Sequence, residues 1–396
     1  MIERFLKQYL LRDAGYYPVV TLTGPRQSGK TTLARATFPD YEYVSLEESE
    51  SRLFAREDPK GFLRRYPGPV IIDEAQRVPE IFSDIQRSVD EDNTSGRYIL
   101  TGSHNFLLME QVSQTLAGRC AVLHLLPFSR AELDGSDLGK PKAPPALFCN
   151  RSTRLNKWET VRTGFYPRIH DQKIPPEIWL SDYVRTYLER DVRSLSNIGD
   201  LETFERFVKL CAGRSGQILN YSAIADDCGI SVDTAKRWVS ILKTSFIIFL
   251  LTPHHRNYNK RLIKSPKLYF YDSGLTCFLL GIRDHRQLET HPLRGPLFEN
   301  FILGEIMKAY MHHRISAPLF FWRDRTGHEI DVIIEEGTKL FPVEIKSGET
   351  ISRNMLESLT WWCRQADRPL ETATLLYGGT DFQERKGINI RPWFSI

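Results

Sequence analysis

The stretch Gly24-Pro25-Arg26-Gln27-Ser28-Gly29-Lys30-Thr31, followed by Thr32, fits the pattern glycine, four residues, glycine, lysine, serine or threonine. Before it runs Pro18 to Thr23, a β-branched segment that reads as a buried strand. After it, Thr32 to Thr37 can continue as a helix. Strand, glycine loop and helix together give the pattern a mechanism. Backbone N–H groups curl round phosphate oxygens, and the helix N-terminus adds a favourable dipole. In that setting Lys30 neutralises the β- and γ-phosphates and the Thr31 hydroxyl ligates Mg²⁺. ATP and Mg²⁺ are therefore the expected cofactors. A chance glycine-rich turn is the alternative, and a second motif counts against it.

That second motif is Pro69-Val70-Ile71-Ile72-Asp73-Glu74-Ala75-Gln76. Three apolar residues ending in two acids predict a buried parallel strand that delivers carboxylates to its C-terminal edge. Asp73 is placed to hold Mg²⁺ through water, and Glu74 to polarise the water that attacks the γ-phosphate. Between the motifs, Tyr41 to Leu46 predicts another strand. Arg97-Tyr98-Ile99-Leu100-Thr101-Gly102-Ser103 predicts a fourth. ATPases that insert a strand between the two motifs use a polar side chain there to sense the γ-phosphate. Ser103 is the candidate, Thr101 and Asn105 are the reserves, and a plain turn is the alternative. A fifth strand is expected from Cys120 to Leu126. Arg119, just before it, is either an arginine reaching its own or a neighbouring subunit's γ-phosphate, or an ordinary surface residue.

Gly-Pro-Arg-Gln-Ser-Gly-Lys-Thr-Thr, Ile-Ile-Asp-Glu-Ala-Gln, Ile-Leu-Thr-Gly-Ser and Leu-Ala-Gly-Arg, in this order, resemble a prokaryotic family of AAA-type P-loop ATPases with a C-terminal region of formerly unknown function. The resemblance runs nearly to the end of the chain. Gly164-Phe165-Tyr166-Pro167 is similar to a Gly-Gly-Phe-Pro turn of the family, with Phe165 in place of the second glycine. Tyr187 to Val192 and Lys267 to Leu275 also look like family signatures.

The middle of the chain divides by composition. Residues 134–160, rich in Pro, Gly and Lys, read as a linker, and 161–215 as a helical connector. Residues 216–290 have the build of a winged helix. Tyr221 to Cys228 is a short helix, Gly229 a turn, Ser231 an N-cap, and Val232 to Leu242 a second helix. Thr234, Lys236 and Arg237 point away from its apolar face, as a helix entering a DNA groove requires. His254 to Arg261, with Lys264 and Lys267, supplies basic charge in the wing's position. Winged helices also dock proteins, so the expected partner is DNA or protein.

The last segment, residues 291–396, opens with a helix that carries Glu299. Strands follow over Leu319 to Arg323, Glu329 to Ile334 and Leu340 to Lys346, with a turn at Gly337-Thr338. An acid, Asp331, followed on the next strand by Glu344-x-Lys346, resembles the PD-(D/E)xK restriction-endonuclease-like fold. The resemblance implies that Asp331 and Glu344 hold Mg²⁺, that Lys346 orients water, and that Glu299 is the extra acid many such nucleases use. A cross-strand charge cluster without cleavage is the alternative.

The predicted fold class is α/β throughout: a P-loop NTPase parallel-sheet domain over 1–133, the helical and winged-helix connector, and a small nuclease-like α/β domain. The 396 residues suffice for two or three cores. No apolar run reaches the ~18 residues of a membrane span. The N-terminus lacks an apolar signal region, and six dispersed cysteines form no Cys-x-x-Cys pair, so a cytoplasmic protein with reduced thiols is expected. A net charge of +4 does not by itself imply nucleic acid. The expected activity is ATP hydrolysis coupled to DNA binding or processing, with an ATP-dependent switch and a phosphate-loop kinase as rivals. A homo-oligomer is expected only if Arg119 acts between subunits.

Overall fold

The apolar runs become the strands they spell in the computed structural model, which describes residues 2–103, 112, 114–136, 144, 146–148, 153, 155–187, 201–254 and 265–396. Asn105, the basic run 255–264 and residues 188–192 of the helical signature lie outside the described residues. The chain divides into two units. The first is Met1–Phe128 with Thr244–Phe246 and Met311–Ile315, and the second holds the rest.

The first unit is built on five parallel strands: β1 (Val19–Thr23), β2 (Glu42–Ser45), β3 (Val70–Asp73), β4 (Tyr98–Gly102) and β5 (Cys120–His124), in the order β2-β3-β4-β1-β5. Alternate residues feed two cores. Val20, Leu22, Ile71, Ile99 and Leu123 pack on one face with the helices Leu6–Ala14 and Lys30–Thr37. Val19, Val70, Ile72, Tyr98 and Leu100 pack on the other with Ile81, Phe82 and Ile85. A parallel sheet covered on both faces needs near-continuous apolar strands, which explains why β1, β3 and β4 are buried along their whole length. β4 lies between β1 and β3, in register with both.

The second unit is a helical layer and one eight-stranded sheet. Its strands are β6 (Ile248–Pro253), β7 (Lys267–Phe270), β8 (Leu319–Arg323), β9 (Glu329–Glu336), β10 (Lys339–Lys346), β11 (Thr374–Tyr377), β12 (Gln383–Arg385) and β13 (Ile388–Pro392). They run in the order β12-β13-β11-β10-β9-β8-β6-β7. The helices Tyr221–Cys228 and Val232–Thr244 flank Gly229, and Ser231 Oγ accepts from Thr234 N at 3.1 Å as the N-cap. Ala235, Trp238, Val239 and Leu242 are buried, whereas Lys236 and Arg237 are exposed. The hairpin β6–β7 does not stand apart as a wing: Thr252 and Pro253 of β6 pair with Phe320 and Phe321 of β8. His254 and Lys267, expected among surface phosphate contacts, are accordingly corrected to buried positions in this sheet.

The turn at Gly164 is held by a buried carboxylate. Asp272 accepts from Phe165 N at 2.7 Å and from Leu275 N at 2.8 Å, capping the helix Ser273–Leu279. Gly164 and Gly274 meet backbone to backbone. A Cβ on Gly274 would lie 2.6 Å from Thr163 O and 2.7 Å from Gly164 Cα, with no flexible side chain to yield. Gly274→Ala should therefore destabilise the second unit by about 1–3 kcal/mol. Its melting temperature, followed by circular dichroism, should drop by about 2–4 °C for each of those kcal/mol; an unchanged melt would refute the close packing.

Candidate functional site

At the C-terminal edge of the first sheet the loop after β1 curls as its glycines permit. Gly24, Gln27 and Gly29 all have positive φ, and Gly29 precedes the helix that begins at Lys30. A Cβ on Gly24 would stand 2.1 Å from Leu125 O, so only glycine fits there. Lys30 Nζ donates back to Gly24 O at 3.1 Å and Pro25 O at 2.8 Å. Ser28 Oγ is buried without a hydrogen-bond partner. Behind the loop, the buried Arg4 donates to Ser28 O at 2.9 Å and Leu126 O at 2.6 Å, and so ties the loop to the end of β5. Pro25, Arg26 and Thr32 lie in the same loop and first turn, beside Thr31.

Asp73 ends β3 as a hub. Thr31 Oγ1 stands 3.1 and 3.0 Å from its two carboxylate oxygens, Tyr43 Oη donates at 3.0 Å, and the buried Thr101 donates from β4. Burial, then the Asp73 charge, pushes the Tyr43 phenol up to about 12, so it stays a donor. The hard oxygens of Asp73 and Thr31 suit Mg²⁺. Glu74 follows in a left-handed conformation, φ 54 and ψ 41. Ser103 Oγ donates to its Oε1 at 2.9 Å and Gln76 Nε2 to its Oε2 at 2.6 Å. Loop, Asp73, Glu74 and Ser103 are thus brought together.

Arg119 is not. It lies just before β5, its carbonyl accepting from Val19 N at the start of β1, whereas the phosphate loop follows the end of β1. A five-residue strand separates the two edges by roughly 17 Å. Its guanidinium is engaged with Asp90, at 2.5 and 3.1 Å. Reach to its own subunit's phosphate, one of the two options expected for it, is corrected on that ground.

The second unit holds a separate group of charges. β9 and β10 form the expected hairpin, pairing Val332 with Val343. Asp331 Oδ2 accepts from Ile345 N at 2.8 Å and lies 3.6 Å from Lys346 Nζ, which donates to Glu344 Oε1 at 2.5 Å. Glu344 Oε2 is buried without a partner. Glu299, on the helix Arg294–Met311, accepts from Tyr269 Oη at 2.5 Å and lies 3.4 Å from Lys267 Nζ. Lys267 also bridges to Glu329. Burial, then the Asp331 charge, pushes the Glu299 carboxyl up to about 7 and that of Glu344 to about 8, against the pull of Lys267 and Lys346 respectively. Burial works against both ammonium ions, but the surrounding carboxylates outweigh it and raise them. Among the described residues, no three His, Cys, Asp or Glu side chains are grouped closely enough to hold a metal as they stand.

Residues 16–133 match a family model described as an AAA domain. Residues 156–286 and 294–395 match domains of unknown function, DUF8612 and DUF4143. An uncharacterized protein of Mycobacterium tuberculosis is 30% identical over 367 residues, covering 91% of this chain and 77% of its own. An uncharacterized protein of Mycobacterium bovis matches to the same extent. The chain belongs to the family of these mycobacterial proteins. It carries an AAA-type P-loop ATPase domain. Among solved structures, the Walker-type ATPase of Pyrococcus abyssi aligns at TM-score 0.43 and 17% identity, over 70% of this chain and 96% of that one. The Thermotoga maritima RuvB Holliday junction branch migration motor aligns at TM-score 0.29 and 18% identity, over 65% and 93%.

Reasoning on the sequence missed Arg4, Tyr43, Gln76, Tyr269 and Glu329 as partners in these sites. Gln76, two residues from Glu74, and Glu329, two residues before Asp331 on the same face of its strand, carried a local signal; Arg4, Tyr43 and Tyr269 did not.

The raised carboxyls give the second unit a pH dependence of definite sign. The folded chain keeps protons on Glu299 and Glu344 that the unfolded chain releases above the usual 4.5. Rising pH therefore favours unfolding, by up to about 1.4 kcal/mol per pH unit for each group. In EDTA, stability should be greatest near the low end of this window and fall from about pH 5 to about pH 8. Glu344→Gln should flatten that slope in thermal melts; an unaltered slope would place the proton elsewhere.

Proposed function

We propose that this AAA-type protein hydrolyses ATP with Mg²⁺ and couples that turnover to binding or processing of DNA by its C-terminal half. The observation that carries the hydrolytic reading is the Ser103–Glu74 hydrogen bond, made across the strand inserted between the two nucleotide motifs. Lys30, now donating to loop carbonyls, exchanges them for β- and γ-phosphate oxygens when nucleotide enters. Thr31 and Asp73 would hold the Mg²⁺, which neutralises phosphate charge. Glu74 accepts the proton of the attacking water once it leaves Gln76, and Ser103 reports the γ-phosphate to it. A phosphate-loop kinase transfers to an acceptor other than water and needs no such glutamate. Arg119, at the opposite edge, serves only a neighbouring subunit's phosphate in this reading.

For the C-terminal half, exposed Lys236 and Arg237 on the second helix of the Gly229 turn suit DNA phosphates. Asp331, Glu344, Lys346 and Glu299 have the donor types of a metal-dependent phosphodiester site. The orphaned Glu344 Oε2 fits a bound cation. A second reading, an ATP-driven switch that docks DNA or protein without cutting, is favoured by the same residues' pairing with lysines.

Phosphate release from Mg-ATP should fall by at least about 100-fold in Glu74→Gln, and duplex DNA should stimulate the wild type. Wild-type turnover indifferent to DNA would favour the switch. Turnover retained in Glu74→Gln would refute the role given to that residue. Lys236→Glu combined with Arg237→Glu should weaken DNA binding in a fluorescence-anisotropy titration and reduce its salt dependence by about one to two charges. An unchanged titration would remove this helix from the DNA interface.

A further inference from the structure

Among the described residues of the hairpin β6–β7, Lys267 delivers an ammonium into the carboxylate group of the second unit, and reading the basic sequence around it as surface misplaces it. It is 3% exposed, sits 5.5 Å from the centre of the Phe321 ring, and touches Oε1 of both Glu299 and Glu329. Those two oxygens come from different elements, the helix Arg294–Met311 and β9, and among the described residues of the hairpin Lys267 bridges both. Tyr269, two residues on and on the same face of β7, fixes Glu299 through the same oxygen. Glu299 is thereby turned to an internal cation rather than left to Asp331 and Glu344. On the other side Lys346 takes one oxygen of Glu344, while Glu344 Oε2 is buried and unpartnered.

We propose that Lys267 is a built-in counter-ion standing in for a second divalent cation, so that the site binds a single divalent ion, between Asp331 and Glu344. The proposal rests on reading Asp331 and Glu344 as cation ligands. An ammonium and a divalent ion compete for the same carboxylate oxygens. The lysine wins at Glu299 and Glu329 because the β6–β8 pairing holds its strand in the sheet. The chemistry this leaves is that of one hard cation with a lysine beside it, suited to a phosphodiester oxygen on one side and a fixed positive charge on the other. Lys267 is a positioning residue here, acting through Glu299.

The test counts Mn²⁺ bound to the full, nucleotide-free chain by electron paramagnetic resonance, in an Asp73→Asn background that silences the ATPase site. The parent should bind one ion, lost on Asp331→Asn. Lys267→Met should raise the count to two, and Lys267→Arg should leave it at one. A count of one in Lys267→Met, still sensitive to Asp331→Asn, would overturn the role of Lys267 while leaving the cation site intact. No binding sensitive to Asp331→Asn in the parent would overturn the cation site itself. Because Lys267→Met leaves two partly buried acids facing each other, its melting is followed with and without Mn²⁺. Mn²⁺ should raise its melting temperature more than the parent's, and equal shifts would overturn the proposal. Lys267→Met with Glu329→Gln, which removes the acid as well, should fold without Mn²⁺ and return the count to one; a count of two there would overturn it.

Discussion

A buried carboxylate at the end of β3 ties together the parts of the nucleotide site. Asp73 is 8% exposed and accepts from Thr31, Tyr43 and Thr101, residues drawn from three different elements. A buried carboxylate is tolerable only when its oxygens are hydrogen-bonded. The requirement that Asp73 be satisfied therefore fixes where β2, β4 and the helix after the phosphate loop must lie relative to β3. Register does the same from the backbone: Ile72 pairs with Val44 on one side and Leu100 on the other, so all three strands end together. Loop shape follows from neighbours as much as from glycine, since Arg4 pins Ser28 O from behind and Leu125 O leaves no room for a Cβ at Gly24.

The second unit meets the same electrostatic demand differently. Glu299, Glu329, Asp331 and Glu344 are partnered chiefly by ammonium groups, with the hydroxyl of Tyr269 and one backbone N–H in support. Paired buried charges gain from attraction but keep a desolvation cost, so such a group depends on every member being present. Lys267 can be a member only because β6 extends the sheet of β8 to β13, making the hairpin and the strands that carry the acids one structure.

What was legible in the sequence is what local spacing encodes. The phosphate loop, the β3 acids, the helices about Gly229 and the hairpin from Glu329 to Lys346 all rest on patterns within about two dozen residues, where strand alternation and capping chemistry apply directly. The inserted position of β4 was legible too, through the polar end of its strand. Arg4, Tyr43 and Tyr269 were not, because each meets a partner across 24 to 30 positions of chain and nothing in its immediate neighbourhood marks it. Lys267 was misread for a physical reason. Basic neighbours normally signal a solvated face, and only a sheet edge formed with β8, some fifty residues on, buries it. Arg119 shows the converse: its motif context is right, but which end of a strand it occupies decides what it can touch.

The contrast between the two groups bears on how each accepts a cation. Thr31, Tyr43 and Thr101 are neutral donors, so a divalent ion arriving at Asp73 needs only to rotate hydroxyls, and Thr31 can turn from donor to ligand without moving charge. At Glu344 the partner is itself a cation, the half-buried Lys346, and at Glu299 an ammonium stands beside the Tyr269 hydroxyl, so an ion arriving there must share a carboxylate with an ammonium already in contact. On the reading proposed above, hydroxyl partners would let the nucleotide site exchange its metal with each nucleotide, whereas lysine partners would weaken the single-ion site at Asp331 and Glu344 without closing it. On the same reading, a nucleic-acid phosphate that drew Lys346 towards itself would strengthen that ion's hold, and by linkage the ion would strengthen the phosphate's.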